Sequence, residues 1–315
     1  MLWTKSADRT RSGSDFPPES PEGGLMHRAS DLFMEYEDTD FRRPGEMETG
    51  RPVRFPDPSP SSLEGFSVST AAGDGGGYHS LFCGPLWLDP PAPRRRFVRA
   101  LARLLVQYRR RMGAPRQGPF LICGVGNENA AADSLGPRAV AGVLATDPPM
   151  REAGLPAVCT VRTGVPRHTG IDTADMISAL AERTGAALIV TVDALCARTG
   201  SRLGTVAQIT DCGLIPGSAL RHSSGAVTRG TMPCPVLSLG VPTVVRASAL
   251  NGGDSGGAGE LSPDPVPDTE DRLLFVTRAD TDAMVACYAS LIARAVNAAF
   301  TGNPPEDVMD PPDGA

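Results

Sequence analysis

Two aspartates follow stretches that the sequence predicts to be buried strands. Asp193 comes directly after the apolar run Leu188–Val192, and Asp133 follows the run Phe120–Val125 after a short loop. Ligands of an open parallel sheet bind beyond the carboxyl ends of its strands, so both side chains are expected at that edge. Two carboxylates within a few ångströms do not both ionise easily, so one holds a proton while the other acts as a base toward water. An isolated aspartate more often caps a helix N-terminus, and the spacing alone does not decide between these roles.

Two other motifs give weaker signals. Gly124 and Gly126 follow a strand and precede a helix, but the third glycine of a dinucleotide-binding fingerprint is replaced by Asn129. These glycines are instead predicted to allow a sharp turn with positive φ. The hexapeptide GGDSGG spells the nucleophile motif of chymotrypsin-like proteases around Ser255. That class consists of two β-barrels, so in a chain that alternates strand and helix Ser255 is interpreted as an ordinary loop serine.

The elements that position the two aspartates alternate between strand and helix. Residues 95–112 form an amphipathic pattern with an arginine-rich polar face. The patterns that follow are the strand Phe120–Val125, a helix from about Leu135 to Thr146, the strand Ala157–Arg162, the helix Thr173–Thr184, the strands Ala187–Val192, Thr205–Thr210 and Pro235–Leu239, and the helix Thr281–Phe300. Such alternation predicts an α/β fold, with a mostly parallel sheet covered by helices on both faces.

Composition divides the chain of 315 residues into one domain with polar flanks. Residues 1–65 are rich in Pro, Gly and Ser and are predicted to be largely disordered, with residues 1–25 dispensable for folding and a candidate pro-segment. The α/β domain is predicted over residues 66–305, with an exposed insertion loop at 249–272 and a disordered tail at 306–315.

Composition also bears on partners and compartment. The sequence has no run of about 18 apolar residues and no signal-peptide block, so a cytoplasmic protein without membrane contact is expected. The net charge of −6 argues against binding nucleic acid. Seven scattered cysteines without a C-x-x-C pair are interpreted as reduced residues rather than a metal cluster.

Six segments in the same order resemble the germination protease (GPR endopeptidase) family of spore-forming bacteria. They are GVGNENAAADSLGP, TGIDTADMI, LIVTVDALCAR, QITDCGLIPGS, PVLSLGVPTVV and LLFVTRADTDAMVACYASLIARAVNAAF. The resemblance implies an α/β/α sandwich similar to that of hydrogenase-maturation proteases. It also implies an aspartate-dependent endopeptidase that degrades small acid-soluble spore proteins at germination. The two catalytic aspartates of the family correspond to Asp133 in ADSLGP and Asp193 in VDAL.

Further expectations follow from this resemblance and from position. Asn127, Arg198, Asp211 and Ser218 are candidates for binding substrate or supporting the aspartates, and the backbone amides of the turn from Gly124 to Asn127 are candidate donors to an oxyanion. No cofactor or metal is predicted, because no histidine lies in a motif that matches a nickel-recognition site. The resemblance implies a homo-oligomer, with a tetramer as the candidate state, in the forespore or spore core. Two alternatives stay open: a metal-guided maturation protease that acts on a partner protein, and a sporulation protein that binds without cleaving.

Overall fold

The computed structural model describes residues 63–73, 76–217, 225–247 and 274–301. The strands are β1 (Ser67–Gly73), β2 (Gly76–Phe82), β3 (Phe120–Val125), β4 (Val158–Gly164), β5 (Leu188–Ala197), β6 (Val206–Thr210), β7 (Val236–Arg246) and β8 (Phe275–Val276). The helices are α1 (Pro91–Arg111), α2 (Leu135–Ala141), α3 (Pro149–Glu152), α4 (Pro166–Thr169), α5 (Thr173–Thr184) and α6 (Thr281–Phe300).

The strands form one mixed sheet in the order β1-β2-β6-β7-β5-β3-β4, with β8 paired to the end of β7. The four strands β7, β5, β3 and β4 run parallel to one another. Strands β1, β2 and β6 extend this sheet with antiparallel pairing, and β8 is antiparallel as well. The predicted α/β class is confirmed, and the parallel part of the sheet is the part that carries the two aspartates.

Helices cover both faces of the sheet, and the alternation of β3 shows how the sequence achieves this. Phe120 and Ile122 face the larger core, which α1, α2 and α6 complete. Leu121 and Cys123 point to the opposite face and pack against α5. Because side chains alternate along a strand, an uninterrupted apolar run contributes buried side chains to the cores on both faces of the sheet. The result is three layers, with helices on either side of the sheet.

Several predicted elements agree with the structure and others need correction. The bounds of β3, α5 and α6 are confirmed. Helix α2 ends at Ala141 instead of near Thr146, because the chain turns at Gly142 beside α6, where Asn297 accepts a hydrogen bond from the Leu144 N–H at 2.9 Å. Strand β5 continues to Ala197, so Asp193 lies within a strand and not after it. Strands β1 and β2 were not predicted.

Part of the predicted domain division falls outside the described residues. Residues 1–62, the insertion loop 249–272, the tail 306–315, Ser218 and Ser255 are all in this group, so the predictions made for them stay predictions. Leu63, however, is buried at 3% exposure. The next residue, Glu64, pairs with Arg99 and Arg103 of α1. The folded domain therefore includes residues 63–65, which the sequence placed in the amino-terminal segment.

Helix α6 is the most apolar long helix among the described residues. By length and mean hydropathy, 1.5, it alone among the described helices passes a test for a membrane span. Its residues Met284, Tyr288 and Ile292 are each fully buried in the core shared with α1 and α2. This is the packing of a central helix in a folded domain.

Candidate active site

The two aspartates lie at a topological switch point of the parallel sheet. Strand β3 leads through α2 to β4 on one side, whereas β5 leads toward β6 and β7 on the other side. Neighbouring strands whose connections diverge in this way leave a crevice at their carboxyl ends, which is where open α/β sheets bind ligands. Asp133 ends the 3-10 turn Ala131–Asp133 between β3 and α2, and Asp193 lies in β5.

Glycines let the turn that carries Asp133 lie directly on the sheet backbone. Gly126 has φ +117°, and a Cβ there would lie 2.2 Å from the Asp133 carbonyl oxygen. A Cβ on Gly136, in the first turn of α2, would lie 2.2 Å from the Val192 carbonyl oxygen. A Cβ on Gly124 would in turn lie 2.4 Å from the Gly136 carbonyl oxygen. These residues must lack side chains for α2 to approach β3 and β5 this closely.

Besides its backbone hydrogen bonds, the Asp133 turn is held by three hydrogen bonds that involve side chains. The Asn127 N–H donates to Asp133 Oδ2 at 2.7 Å. The Ser134 hydroxyl donates to the Ala131 carbonyl oxygen at 2.8 Å. Thr243 Oγ1, which projects from β7, donates to the Ala132 carbonyl oxygen at 2.6 Å. The first bond stabilises the ionised form of Asp133, and the other two fix the backbone on which its side chain is mounted.

Asp193 is held differently, because it belongs to the sheet itself. Its strand pairs with β3 on one side and with β7 on the other, where Asp193 is opposite Gly240. Its Oδ1 accepts a hydrogen bond from the Ala194 N–H at 2.8 Å, and the residue is partly buried. Asp193 therefore has a rigid backbone, whereas Asp133 sits on a turn of three residues.

Both carboxyl groups have raised pKa values, and the charge of Asp133 contributes to the shift of Asp193. Desolvation and the nearby charge of Asp133 raise the pKa of Asp193 to about 8. Desolvation also raises the pKa of Asp133, although the hydrogen bond from Asn127 opposes that rise. At neutral pH this arrangement favours a proton on Asp193 and a negative charge on Asp133, and such an unequal pair can supply one acid and one base.

Asn127 lies beside Asp133, whereas Arg198 lies past the end of β5. The backbone N–H of Asn127 contacts Asp133, while its side-chain Oδ1 accepts a bond from the Asn129 N–H at 3.0 Å. The side chain of Asn127 is thus part of the turn. The backbone N–H of Asn127 was predicted as a candidate oxyanion donor, but in the structure it donates to Asp133 Oδ2. Arg198 directly follows the last residue of β5 and is partly exposed.

Asp211 lies away from the pair and does not support the two aspartates, although the sequence had suggested that it would. Strand β6 is antiparallel to β7, and Thr210 is opposite Ser238. The chain beyond Thr210 therefore runs toward the amino end of β5, away from Asp193. There Asp211 accepts the Gly77 N–H at 2.6 Å and lies 4.0 Å from the Arg111 guanidinium.

Sequence reasoning missed the contribution of Thr243. Its segment was noted only as the apolar element GVPTVV, and a single threonine in such a run is usually interpreted as a β-former. Its burial, at 1% exposure, and its bond to Ala132 become visible only when β7 is placed beside the Asp133 turn. In the ranges that the structure describes, no three His, Cys, Asp or Glu side chains are grouped as metal ligands would be.

Comparisons with known proteins bear on the segment that contains this site. The family model described as germination protease matches residues 90–254. The germination protease of Bacillus cytotoxicus is 34% identical over 163 residues, which are 50% of this chain and 44% of the relative. A germination protease of Bacillus cereus is 37% identical over 145 residues, 44% of this chain and 40% of the relative. The match thus spans less than half the length of these curated relatives.

A comparison with solved structures gives a more distant similarity. The crystal structure of a NiFe hydrogenase maturation protease, HycI from Thermococcus kodakarensis, is 18% identical in sequence, with a TM-score of 0.31. The superposition covers 56% of this chain and 92% of that chain. At this score the assignment of an α/β fold depends on the strand order and layers described above.

Proposed function

The chain belongs to the germination protease family, and we propose that it is an endopeptidase in which Asp133 and Asp193 activate water against a peptide bond. The observation that carries this proposal is the unequal carboxyl pair at the carboxyl edge of β3 and β5. Asp133 accepts an N–H bond that favours its charged form. Asp193, with a pKa of about 8, holds a proton at neutral pH.

These protonation states assign a role to each carboxyl group. Asp133 takes a proton from water as the water oxygen attacks the peptide carbonyl carbon. Asp193 donates its proton to the carbonyl oxygen, so that the tetrahedral intermediate forms without a separated charge. In the second step the proton on Asp133 passes to the leaving nitrogen, the C–N bond breaks, and Asp193 recovers a proton from the hydroxyl group of the intermediate. Each carboxyl group ends in its starting state.

Family membership also supports a substrate and a setting. Family likeness suggests small acid-soluble spore proteins, cleaved in the forespore or spore core at germination. The same likeness supports a homo-oligomer, with a tetramer as the candidate state. Residues 1–25 are proposed as a segment that processing removes.

Cleavage by matched aspartate variants tests this function. The purified full chain is incubated with a small acid-soluble spore protein, and the fragments are identified by mass spectrometry. We expect cleavage by the wild type and by Asp211→Asn, which makes the same chemical change at the opposite edge of the sheet. We expect loss of cleavage in Asp133→Asn and Asp193→Asn. Wild-type cleavage rates in both of these variants would contradict the mechanism, as would inhibition by a chelator that a divalent cation reverses.

A further inference from the structure

Hydrogen bonds made by three threonines, one of them through its backbone carbonyl as well, connect the first turn of α6 to the Asp133 turn. Thr281, the first residue of α6, is hydrogen-bonded through its hydroxyl to the hydroxyl of Thr277. Thr277 Oγ1 donates to the Thr243 carbonyl oxygen at 2.7 Å. Thr243 Oγ1 then donates to the Ala132 carbonyl oxygen at 2.6 Å. Thr243 is therefore held from one side by the α6 segment and holds the Asp133 turn on the other.

This connection reaches the less rigid half of the carboxyl pair. Asp193 lies within β5, is opposite Gly240 of β7 and follows Val192, which pairs with β3, whereas Asp133 lies on a turn of three residues. Among the hydrogen bonds of the described residues, the Thr243 bond ties this turn to β7 through a side chain. Ala132, whose carbonyl oxygen accepts this bond, directly precedes Asp133. A shift at Ala132 would therefore change the separation of the two carboxyl groups.

The residue type at position 243 fits this role better than a packing role. The residues two positions before and after it in β7, Val241 and Val245, are apolar and fully buried. Valine has nearly the same shape as threonine and would fill the same space in a strand. Threonine differs from valine at this position by its hydroxyl group, and that hydroxyl donates a hydrogen bond to the Ala132 carbonyl oxygen.

We propose that Thr243 is a positioning residue that sets the distance of the Asp133 carboxyl group from Asp193. As a contribution to catalysis this rests on the proposed function, but the geometric claim stands without it. Loss of the hydroxyl releases the turn, so that Asp133 lies farther from Asp193 on average. Of the charged groups in the described residues, Asp133 is the one that acts on the titration of Asp193. Desolvation is the main cause of the raised pKa of Asp193 and the charge of Asp133 is the second, so a change in separation alters the part of the pKa that is due to Asp133.

The first measurement is a titration of the aspartate carboxyl carbons by 13C NMR, in which the Asp193 signal is assigned by its absence in Asp193→Asn. Thr243→Val removes the hydroxyl, and Thr243→Ser restores it. Thr146→Val is the matched control, because Thr146 Oγ1 also donates to a backbone carbonyl, that of Pro156 at 3.0 Å, but far from the pair. We expect the pKa of Asp193 to fall in Thr243→Val by about half a unit or more, and to stay at the wild-type value in the other two variants.

The second measurement separates catalysis from binding. With a small acid-soluble spore protein as substrate, we expect Thr243→Val to lose roughly 10- to 100-fold in kcat, with KM within about twofold, because a misplaced catalytic group costs rate more than affinity. Thr243→Ser should recover most of the loss. A wild type that does not cleave, together with the expected pKa change in Thr243→Val, would overturn the proposed function and leave the positioning role standing.

Three outcomes would overturn the positioning role itself. The first is an unchanged Asp193 pKa in a folded Thr243→Val protein. The second is a pKa change of equal size in Thr146→Val, which would indicate a general loss of stability. The third applies if Thr243→Val does not fold. Thr277→Val then replaces it, because Thr277 is exposed and its substitution removes the hydrogen bond that holds Thr243 from the α6 side. A smaller fall in the Asp193 pKa is expected in that variant, and no fall would refute the proposal.

Discussion

Carboxyl groups occur in two contrasting arrangements in this molecule. Glu64 lies over α1, where its two oxygens contact Arg99 at 2.8 Å and Arg103 at 2.5 Å. The hydrogen bond from Arg99 is the main reason that the pKa of Glu64 is lowered. Asp133 and Asp193 lie at the carboxyl edge of β3 and β5, and in the described part of the chain neither forms an ion pair. The pKa of each is raised, first by desolvation.

The difference shows how one kind of side chain stabilises the fold in one place and costs stability in another. A carboxylate beside guanidinium groups is charged at neutral pH and gains energy from folding. A carboxyl group desolvated beside a second carboxyl group is strained at neutral pH, and such strain is typical of functional sites. The comparison therefore predicts opposite effects of the same neutralising substitution at the two places.

The largest expected effect is on activity. Asp133→Asn and Asp193→Asn should each lose cleavage by on the order of 1000-fold or more, because either change leaves the pair without one of its two roles. The double variant should be scarcely worse than either single one, since the two groups act as a unit. Glu64→Gln should cleave within about twofold of wild type. Steady-state rates of the wild type and the four variants measure this, and additive losses in the double variant would show that the aspartates act independently.

The next effect is on stability and depends on pH. The pKa of Asp193 rises from an ordinary value of 3.8 to about 8 on folding. The contribution of this group to the free energy of unfolding is thus fully present below pH 3.8 and is lost as the pH rises through about 8. Asp193→Asn should therefore be more stable than wild type by on the order of 2–4 kcal/mol near pH 9, with little difference near pH 3.5.

Urea denaturation at the two pH values measures this change. Asp211→Asn is the control, because Asp211 bonds to Gly77 and lies near Arg111. It should show no gain in stability at high pH. A gain of equal size for Asp193→Asn at both pH values would mean that packing, and not the titration of a strained carboxyl group, is responsible.

The smallest expected effect has the opposite sign. Because its pKa is lowered from 4.5, Glu64 contributes stability above that value and loses it as the pH falls through the folded-state pKa. Glu64→Gln should cost about 0.5–1 kcal/mol at neutral pH, a small amount because both arginines are partly solvated. The cost should shrink near pH 3 and in about 1 M salt. Chemical denaturation under these conditions checks it, and a cost independent of pH and salt would indicate lost packing instead.

The sequence predicted both members of the acid pair but not the whole of their surroundings. Asp133 and Asp193 were found because each follows an apolar run, and strand exits in a parallel sheet share an edge. Asp211 follows an apolar strand by the same rule, yet lies at the other edge because β6 is antiparallel. Strand direction depends on pairing with distant segments, which no local pattern reports.

The missed and shortened elements have related causes. Strand β1 reads SVSTAAG and β2 reads GGYHSLF, so neither shows the apolar run or strict alternation that predicts a strand. They pair with each other and β2 pairs with β6, so tertiary contacts override weak local preference. The helical pattern of α2 continues past Ala141 in the sequence, but contact with α6 ends it.

The close contact of Gly124 and Gly136 bears on any effort to transplant this site. A designer who grafted only the two acids onto another doubly wound sheet would supply the chemistry but not the spacing. An alanine at either glycine places a methyl group within 2.4 Å of backbone atoms. The helix would then have to rise from the sheet and would carry its aspartate with it. A transplant would therefore need the two acids together with Gly124 and Gly136, because these two residues without side chains set how closely the helix and its aspartate approach the sheet.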